Sequence, residues 1–131
     1  MSTFERDLVT LVCGISAGVH AALTPEHFRE GLGAGLGFLV ATVALAGLAV
    51  ALTRSAEPAA LVGTIFTLAG LLAAYALAIT SGVPLVHPER EPIDAVAVAT
   101  KAVELAGLLA AAHLLLRARF LTVTRTERTL T

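Results

Sequence analysis

Residues 31–53 read GLGAGLGFLVATVALAGLAVALT and contain no charged side chain. A helix needs about 20 apolar residues to cross the hydrocarbon core of a bilayer, and this run is long enough. Isolated strands are excluded, because their backbone groups would stay without hydrogen-bond partners in lipid. The run therefore predicts one transmembrane helix.

Three similar apolar runs lie around it, at residues 8–23, 59–80 and 93–116. Hydrophobic residues make up 56% of the 131 residues and charged residues 15%, which leaves too little polar surface for a soluble domain of this size. We therefore predict an all-α, integral membrane four-helix bundle that forms a single domain, followed by a cytoplasmic tail at 117–131. A signal peptide is the alternative for the first run, but its Glu5-Arg6-Asp7 start is not net positive.

Prolines indicate where the later helices begin. Thr24-Pro25-Glu26 has the order of an N-cap, a first-turn proline and an acid near the positive helix end, so we expect the second helix to begin at Pro25. Glu57-Pro58 and Glu91-Pro92 predict the starts of the third and fourth helices in the same way.

The distribution of arginines predicts the orientation. With the N-terminus in the cytoplasm, Arg29 and Arg90 alone lie on the opposite side, in keeping with the positive-inside rule. The residues on the cytoplasmic side are then Arg6, Arg54, Arg117, Arg119, Arg125 and Arg128. Both termini are therefore expected in the cytoplasm, and the preference for Arg over Lys suggests a bacterial plasma membrane. The net charge of −1 gives no indication of nucleic-acid binding.

The two loops on the extracytoplasmic side are rich in histidine and carboxylate. These side chains together are ligands of Zn²⁺, Mn²⁺, Fe²⁺ and Cu²⁺. His27 and Glu30 are three residues apart, which makes them neighbours on a helix. We predict a site for a divalent transition metal or a small ligand, formed by His20, Glu26, His27, Glu30, His87 and Glu89. The alternative is that these are solvated loop residues, since membrane loops are polar in general.

Charged residues also occur inside the fourth apolar run. Lys101 and Glu104 can pair on one helix face. Asp94 lies on roughly the same stripe of this helix, toward the two extracytoplasmic loops. Charges in the bilayer interior cost about 2.5–3.5 kcal/mol each on insertion scales, and they usually face a functional pathway. A structural ion pair, or a Lys101 side chain that extends to the interface, is the alternative.

Glycines recur at a spacing of four, at Gly14 and Gly18, Gly31 and Gly35, and Gly33 and Gly37. Small residues at this spacing allow helix backbones to approach closely. The pattern fits packing within one bundle, and it also fits a homo-oligomer or contacts with other membrane subunits.

Two segments resemble an uncharacterised family of small four-span bacterial membrane proteins. His20…Thr24-Pro25-Glu26-His27-Phe28-Arg29-Glu30, followed by Gly33…Gly37-Phe38-Leu39, resembles the first half of these proteins. Ile93-Asp94…Thr100-Lys101-Ala102-Val103-Glu104-Leu105 resembles their last helix. The resemblance implies a four-helix membrane fold and emphasises His20, Glu26, His27, Lys101 and Glu104. It implies no activity.

The leading hypothesis is therefore a membrane bundle with an extracytoplasmic metal or ligand site. The alternatives are a non-catalytic accessory subunit of a larger membrane complex, and a proton-coupled transporter that uses Lys101 and Glu104. An enzyme has the least support, because the sequence contains no nucleophile–base pair, phosphate loop or cofactor fingerprint.

Overall fold

The computed structural model describes residues 3–129 apart from Leu85 and His87, and this part of the chain contains four helices. They are α1 (Thr3–Glu30), α2 (Leu32–Arg54), α3 (Pro58–Thr80) and α4 (Ala95–Thr129). Each includes a stretch that is long and apolar enough to cross a bilayer. The predicted all-α fold with four membrane-spanning helices is confirmed.

Consecutive helices run in opposite directions. Contacts join the first half of α1 to α4 in antiparallel order. Glu5 is hydrogen-bonded to His113, and Ser16, later in α1, is hydrogen-bonded to Glu104, earlier in α4. The start of α1 and the end of α4 therefore lie at one end of the bundle, which we call the terminus end. Gly31, between α1 and α2, and the α3–α4 connection lie at the opposite end, which we call the Gly31 end.

The helix lengths match a bilayer. The 23 residues of α2 and of α3 correspond to about 34 Å, close to the roughly 30 Å of a hydrocarbon core. The outward surface is apolar: Phe66 in α3 is 75% exposed, and Val40 and Leu109 project from α2 and α4 in the same way. Lipid solvates such a surface. Residues 117–129, predicted as a tail, continue α4 as helix.

The apolar core occupies the bundle from its middle to the terminus end. All four helices contribute to it. Its buried members are Val9, Val12, Cys13, Ala17, Leu45, Leu52, Leu61, Leu68, Ala111 and Leu114. At the surface of this end, Glu5 accepts a hydrogen bond from Nδ1 of His113 at 2.9 Å and lies 3.5 Å from Nη1 of Arg117. Thr64 lies within this core, and the other described buried polar residues lie from the middle toward the Gly31 end: Ser16, His20, Thr100 and Glu104.

Glycines permit close approach of α1 to its two neighbours. A Cβ at Gly35 in α2 would overlap the ring of Phe28, and a Cβ at Gly107 in α4 would overlap a side chain of α1. Small residues at such points allow the helix axes to come together. Gly14 and Gly18 are exposed, with open space where a Cβ would lie, so their spacing is not used for packing within the described bundle.

The predicted start of α2 at Pro25 is wrong. α1 continues through Pro25 to Glu30, and α2 begins after Gly31. Proline is tolerated inside a membrane helix because nearby hydroxyl groups can satisfy backbone carbonyls. Pro25 leaves the carbonyl of Ala21 without its usual helical donor, and in the same turn the hydroxyl of Thr24 donates to the neighbouring carbonyl of His20 at 2.7 Å.

The predicted start of α4 at Pro92 is also wrong. The helix begins at Ala95, and Asp94 acts as its N-cap, with Oδ1 accepting a hydrogen bond from the backbone N–H of Ala97 at 2.9 Å. A carboxylate suits this position because it satisfies an otherwise unpaired N–H and interacts favourably with the helix dipole. Asp94 is thus an exposed N-cap one residue before the candidate span that begins at Ala95.

Candidate metal centre

The last turns of α1 present two of the predicted ligands at the Gly31 end. His27 and Glu30 are three residues apart on this helix, and Nε2 of His27 lies 3.8 Å from Oε2 of Glu30. The imidazole is partly buried and the carboxylate is exposed. Because α1 is helical as far as Glu30, the spacing brings these two groups to one face, although the sequence had assigned them to α2.

The backbone and a neighbouring ring hold the imidazole of His27 in one orientation. Its Nδ1 lies 3.0 Å from the carbonyl oxygen of Leu23, which can only accept, so Nδ1–H is the donor. The ring of Phe38 from α2 stacks on it, with ring centroids 3.6 Å apart and an angle of 20° between the planes. In the neutral imidazole the lone pair therefore belongs to Nε2, which is the atom that faces Glu30.

The third member of the group is Glu91, in the connection before α4. The backbone N–H of Glu91 donates to the carbonyl of Ala78 in α3 at 3.0 Å, which ties this connection to the end of the bundle. One ligand atom each from His27, Glu30 and Glu91 lie within 4.8 Å of one another. Residues from α1 and from the α3–α4 connection thus meet at the Gly31 end.

This geometry is compatible with a small cation once the three ligand atoms move slightly closer together. A tetrahedral ion with bonds of about 2.1 Å separates its ligand atoms by about 3.4 Å. The ligand atoms of His27, Glu30 and Glu91 would have to close by at most about 1.4 Å, and the exposed side chain of Glu30 can move. One nitrogen and two carboxylates leave at least one position open for water or another ligand.

The other predicted ligands lie elsewhere. Glu26 and Glu89 are exposed and do not belong to the group of three. His20 is buried, with Nδ1 donating to the carbonyl of Ser16 at 2.8 Å. His87 lies outside the described residues.

Sequence reasoning did not assign Glu91 to the metal site. It lies two residues from Glu89, in the run Glu89-Arg90-Glu91. Which of the two carboxylates faces α1 depends on the path of the connection, and here the hydrogen bond to Ala78 anchors the backbone at Glu91 itself. The acidic run indicated that a carboxylate ligand was available, and nothing in the sequence indicated which of the two glutamates it would be.

A second polar group lies deeper, between α1 and α4. Glu104 is completely buried, and each of its carboxylate oxygens has a partner. The hydroxyl of Ser16 donates to Oε1 at 2.5 Å, and Nζ of Lys101 donates to Oε2 at 2.6 Å. The ammonium group of Lys101 also lies 5.8 Å from the ring centre of Tyr75 in α3. The pairing of Lys101 with Glu104, predicted from their spacing, is confirmed.

No protein-family model matches this chain, and neither does any curated protein or solved structure. Four helices with apolar outer surfaces define it as a small polytopic membrane protein. Its polar groups define two separate places in that bundle: an open group of three ligands at the Gly31 end, and a buried group around Glu104.

Proposed function

We propose that this polytopic membrane protein binds a divalent transition metal through Nε2 of His27 and the carboxylates of Glu30 and Glu91. The observation that carries the proposal is the hydrogen bond from Nδ1 of His27 to the carbonyl of Leu23 at 3.0 Å. Histidines that ligate metals usually donate their other ring N–H in this way, which sets the tautomer and the ring orientation. The two carboxylates beside Nε2 then supply charge and oxygen ligands.

The chemistry of the donor set selects the class of metal. One imidazole nitrogen with two carboxylate oxygens suits Zn²⁺, Mn²⁺ and Fe²⁺, and an imidazole also suits Cu²⁺. Two carboxylates neutralise the charge of a divalent ion, so the loaded site is neutral near the membrane surface. Cys13, the one cysteine of the chain, is buried in the apolar core and supplies no thiolate here. A Cu⁺ site built on sulfur is therefore not proposed.

The orientation predicted from the arginines gives the site a location. If both termini are cytoplasmic, the Gly31 end opens to the extracytoplasmic side, where the ligands meet metal ions outside the cell. Labelling of single cysteines introduced at Glu26 and at Ser55 with a membrane-impermeant maleimide in intact cells, in a Cys13→Ala background, tests this. We expect the first to react and the second to react after the cells are opened, and the reverse would invert the orientation.

Metal binding itself is tested by elemental analysis and isothermal titration calorimetry on protein purified in mild detergent without a histidine tag. The variants are Glu91→Gln and, as a matched control in the same connection, Glu89→Gln. We expect about one metal per chain in the native protein, a large loss of affinity for Glu91→Gln and little change for Glu89→Gln. No binding of Zn²⁺, Mn²⁺, Fe²⁺ or Cu²⁺ by the native protein would contradict the proposal, as would equal losses in the two variants.

The two alternative functions differ from this proposal in measurable ways. An accessory subunit would co-purify with a partner from native membranes and would be indifferent to His27→Ala. A proton-coupled transporter would lose flux in liposomes on Glu104→Gln while retaining its metal content. The metal proposal is favoured because the donor atoms converge and the tautomer of His27 suits ligation.

A further inference from the structure

The group around Glu104 has features that ion pairing alone does not require. The carboxylate is completely buried, and the hydroxyl of Ser16, also completely buried, reaches it from α1. The phenol oxygen of Tyr75 is buried and has no hydrogen-bond partner among the described residues. Well-packed apolar residues are often as stabilising as a buried ion pair. The ionisable atoms of this group are therefore candidates for a role other than stability.

Polar contacts continue from Glu104 in one direction. The Nδ1–H of His20 lies one helical turn closer to the Gly31 end, 2.8 Å from the carbonyl oxygen of Ser16 and 3.4 Å from the hydroxyl oxygen of the same residue. The ring of His20 lies against Phe38, with ring centroids 5.2 Å apart, and Phe38 in turn stacks on His27 near the surface. Nδ1, the Ser16 hydroxyl and the Glu104 carboxylate thus form an unbroken series of contacts.

In the other direction the bundle is closed. From the level of Glu104 to the terminus end, the described centre is filled by the apolar core, including Val9, Leu52, Leu61 and Leu114, each at most 1% exposed. The one buried hydroxyl among the described residues of this part, that of Thr64, donates to the carbonyl of Ala60 in its own helix. An apolar layer offers a proton no hydrogen-bonded route. Access to the buried carboxylate is therefore from the Gly31 end.

We propose that Glu104 is an intramembrane proton-binding site that exchanges protons with the Gly31 end through His20 and Ser16. The proposal is independent of the metal site, because it uses other residues and another observation. Its ligand is a single proton, and the chain of contacts from His20 Nδ1 to Glu104 Oε1 is the observation that carries it.

A proton binds Nε2 of His20, which makes the ring an imidazolium. Nδ1 then releases its proton to the hydroxyl oxygen, Oγ, of Ser16, while the original hydroxyl proton of Ser16 moves to Oε1 of Glu104. Ser16 remains a hydroxyl, Glu104 becomes a neutral carboxylic acid, and His20 is left neutral with its proton on Nε2. Return of the proton reverses these steps.

The groups around Glu104 determine what protonation changes. Lys101 on α4 loses its paired charge, and the ring face of Tyr75 on α3 remains to stabilise the ammonium group. From α1, His20 is the titratable group that reaches this cluster, through Ser16, and α2 contributes the uncharged ring of Phe38, which lies against His20. Protonation thus converts a neutral ion pair into a partly buried cation beside an aromatic ring.

Infrared difference spectroscopy tests the proposal on metal-free protein in liposomes, with a chelator present. On acidification, we expect a protonated-carboxyl band that shifts in D₂O, that is absent in Glu104→Gln and that moves in frequency in Glu104→Asp. Absence of any such band from the native protein across an acid-to-alkaline titration would overturn the proposal, whatever the variants do. A band that survives in a folded Glu104→Gln protein would do the same.

The route is tested by the rate at which the band appears after a rapid drop in pH. Ser16→Ala removes the bridging hydroxyl and leaves Lys101 with Glu104, so we expect the band to form at least about tenfold more slowly. Thr64→Ala is the matched control, because Thr64 is an equally buried hydroxyl that donates to the carbonyl of Ala60 in its own helix. An unchanged rate in Ser16→Ala, or equal slowing in the two variants, would overturn the route.

Discussion

Two histidine-and-carboxylate groups in this bundle differ in how completely their atoms are satisfied. At the Gly31 end, ligand atoms of His27, Glu30 and Glu91 lie within 4.8 Å of one another in a partly exposed arrangement that leaves room for an ion. Around Glu104, both carboxylate oxygens already have donors within 2.6 Å, and the residue is completely buried. The same residue types therefore make an open ligand set in one place and a closed network in the other.

The difference follows from position along the helices. A carboxylate in the bundle interior is stable when it is paired, because lipid and apolar side chains offer no hydrogen bonds. A carboxylate at the helix ends can be solvated, so its contacts are more easily exchanged for a metal ion. Substitutions at each group should therefore have effects of different size and kind.

The largest expected effect is on stability, from breaking the buried group. Glu104→Ala leaves the ammonium group of Lys101 without its partner, and we expect the free energy of unfolding to fall by about 3–5 kcal/mol. Unfolding in mixed detergent micelles, followed by circular dichroism, measures this. The double variant Lys101→Met/Glu104→Met removes both charges and should recover most of the loss. If it is as unstable as Glu104→Ala, the unpaired charge is not the cause.

A smaller loss of stability is expected where α1 and α2 meet behind the metal group. A Cβ at Gly35 would overlap the ring of Phe28, so Gly35→Ala should cost about 1–3 kcal/mol through overpacking. Gly37→Ala, with open space around the new methyl group, is the control and should be near neutral. The same unfolding assay compares the two, and equal effects would show that the close approach is not maintained.

A substitution in the group of His27, Glu30 and Glu91 should lower the affinity for metal and leave the free energy of unfolding nearly unchanged. Glu91→Gln removes one charged ligand, and we expect a loss of metal affinity of about tenfold to a hundredfold, which is about 1.4–2.7 kcal/mol. The free energy of unfolding without metal should stay within about 0.5 kcal/mol of the native value, as for a surface substitution. Calorimetry and unfolding on the same sample separate these outcomes. A large loss of stability would instead place Glu91 among the structural residues.

The smallest effect is expected from the ring that orients His27. Phe38→Leu keeps an apolar side chain but removes the stacked pair, which is worth about 0.5–1.5 kcal/mol, so metal affinity should fall about two- to tenfold. Phe66→Leu, on the exposed face of α3, is the matched control and should leave the affinity unchanged. If both variants bind metal like the native protein, the stacking does not position the ligand.

Part of the fold and of the candidate site was predictable from the sequence alone. Apolar runs of sufficient length required membrane-spanning helices, since no other isolated element satisfies its backbone in lipid. The spacing of Lys101 and Glu104 predicted their pairing, and the spacing of His27 and Glu30 predicted a shared face. These are local properties, because helical periodicity relates residues three or four apart whatever the rest of the fold does.

Other features needed the packed bundle. Pro25 has every local sign of a helix start, yet α1 continues through it to Glu30, because membrane helices tolerate an internal proline when they pack against neighbouring helices. Glu91 enters the metal group instead of Glu89 because the α3–α4 connection is anchored to Ala78. The partner of Glu104 on α1, Ser16, lies 88 residues away in sequence. Contacts between helices depend on rotation and register, which periodicity within one helix does not specify.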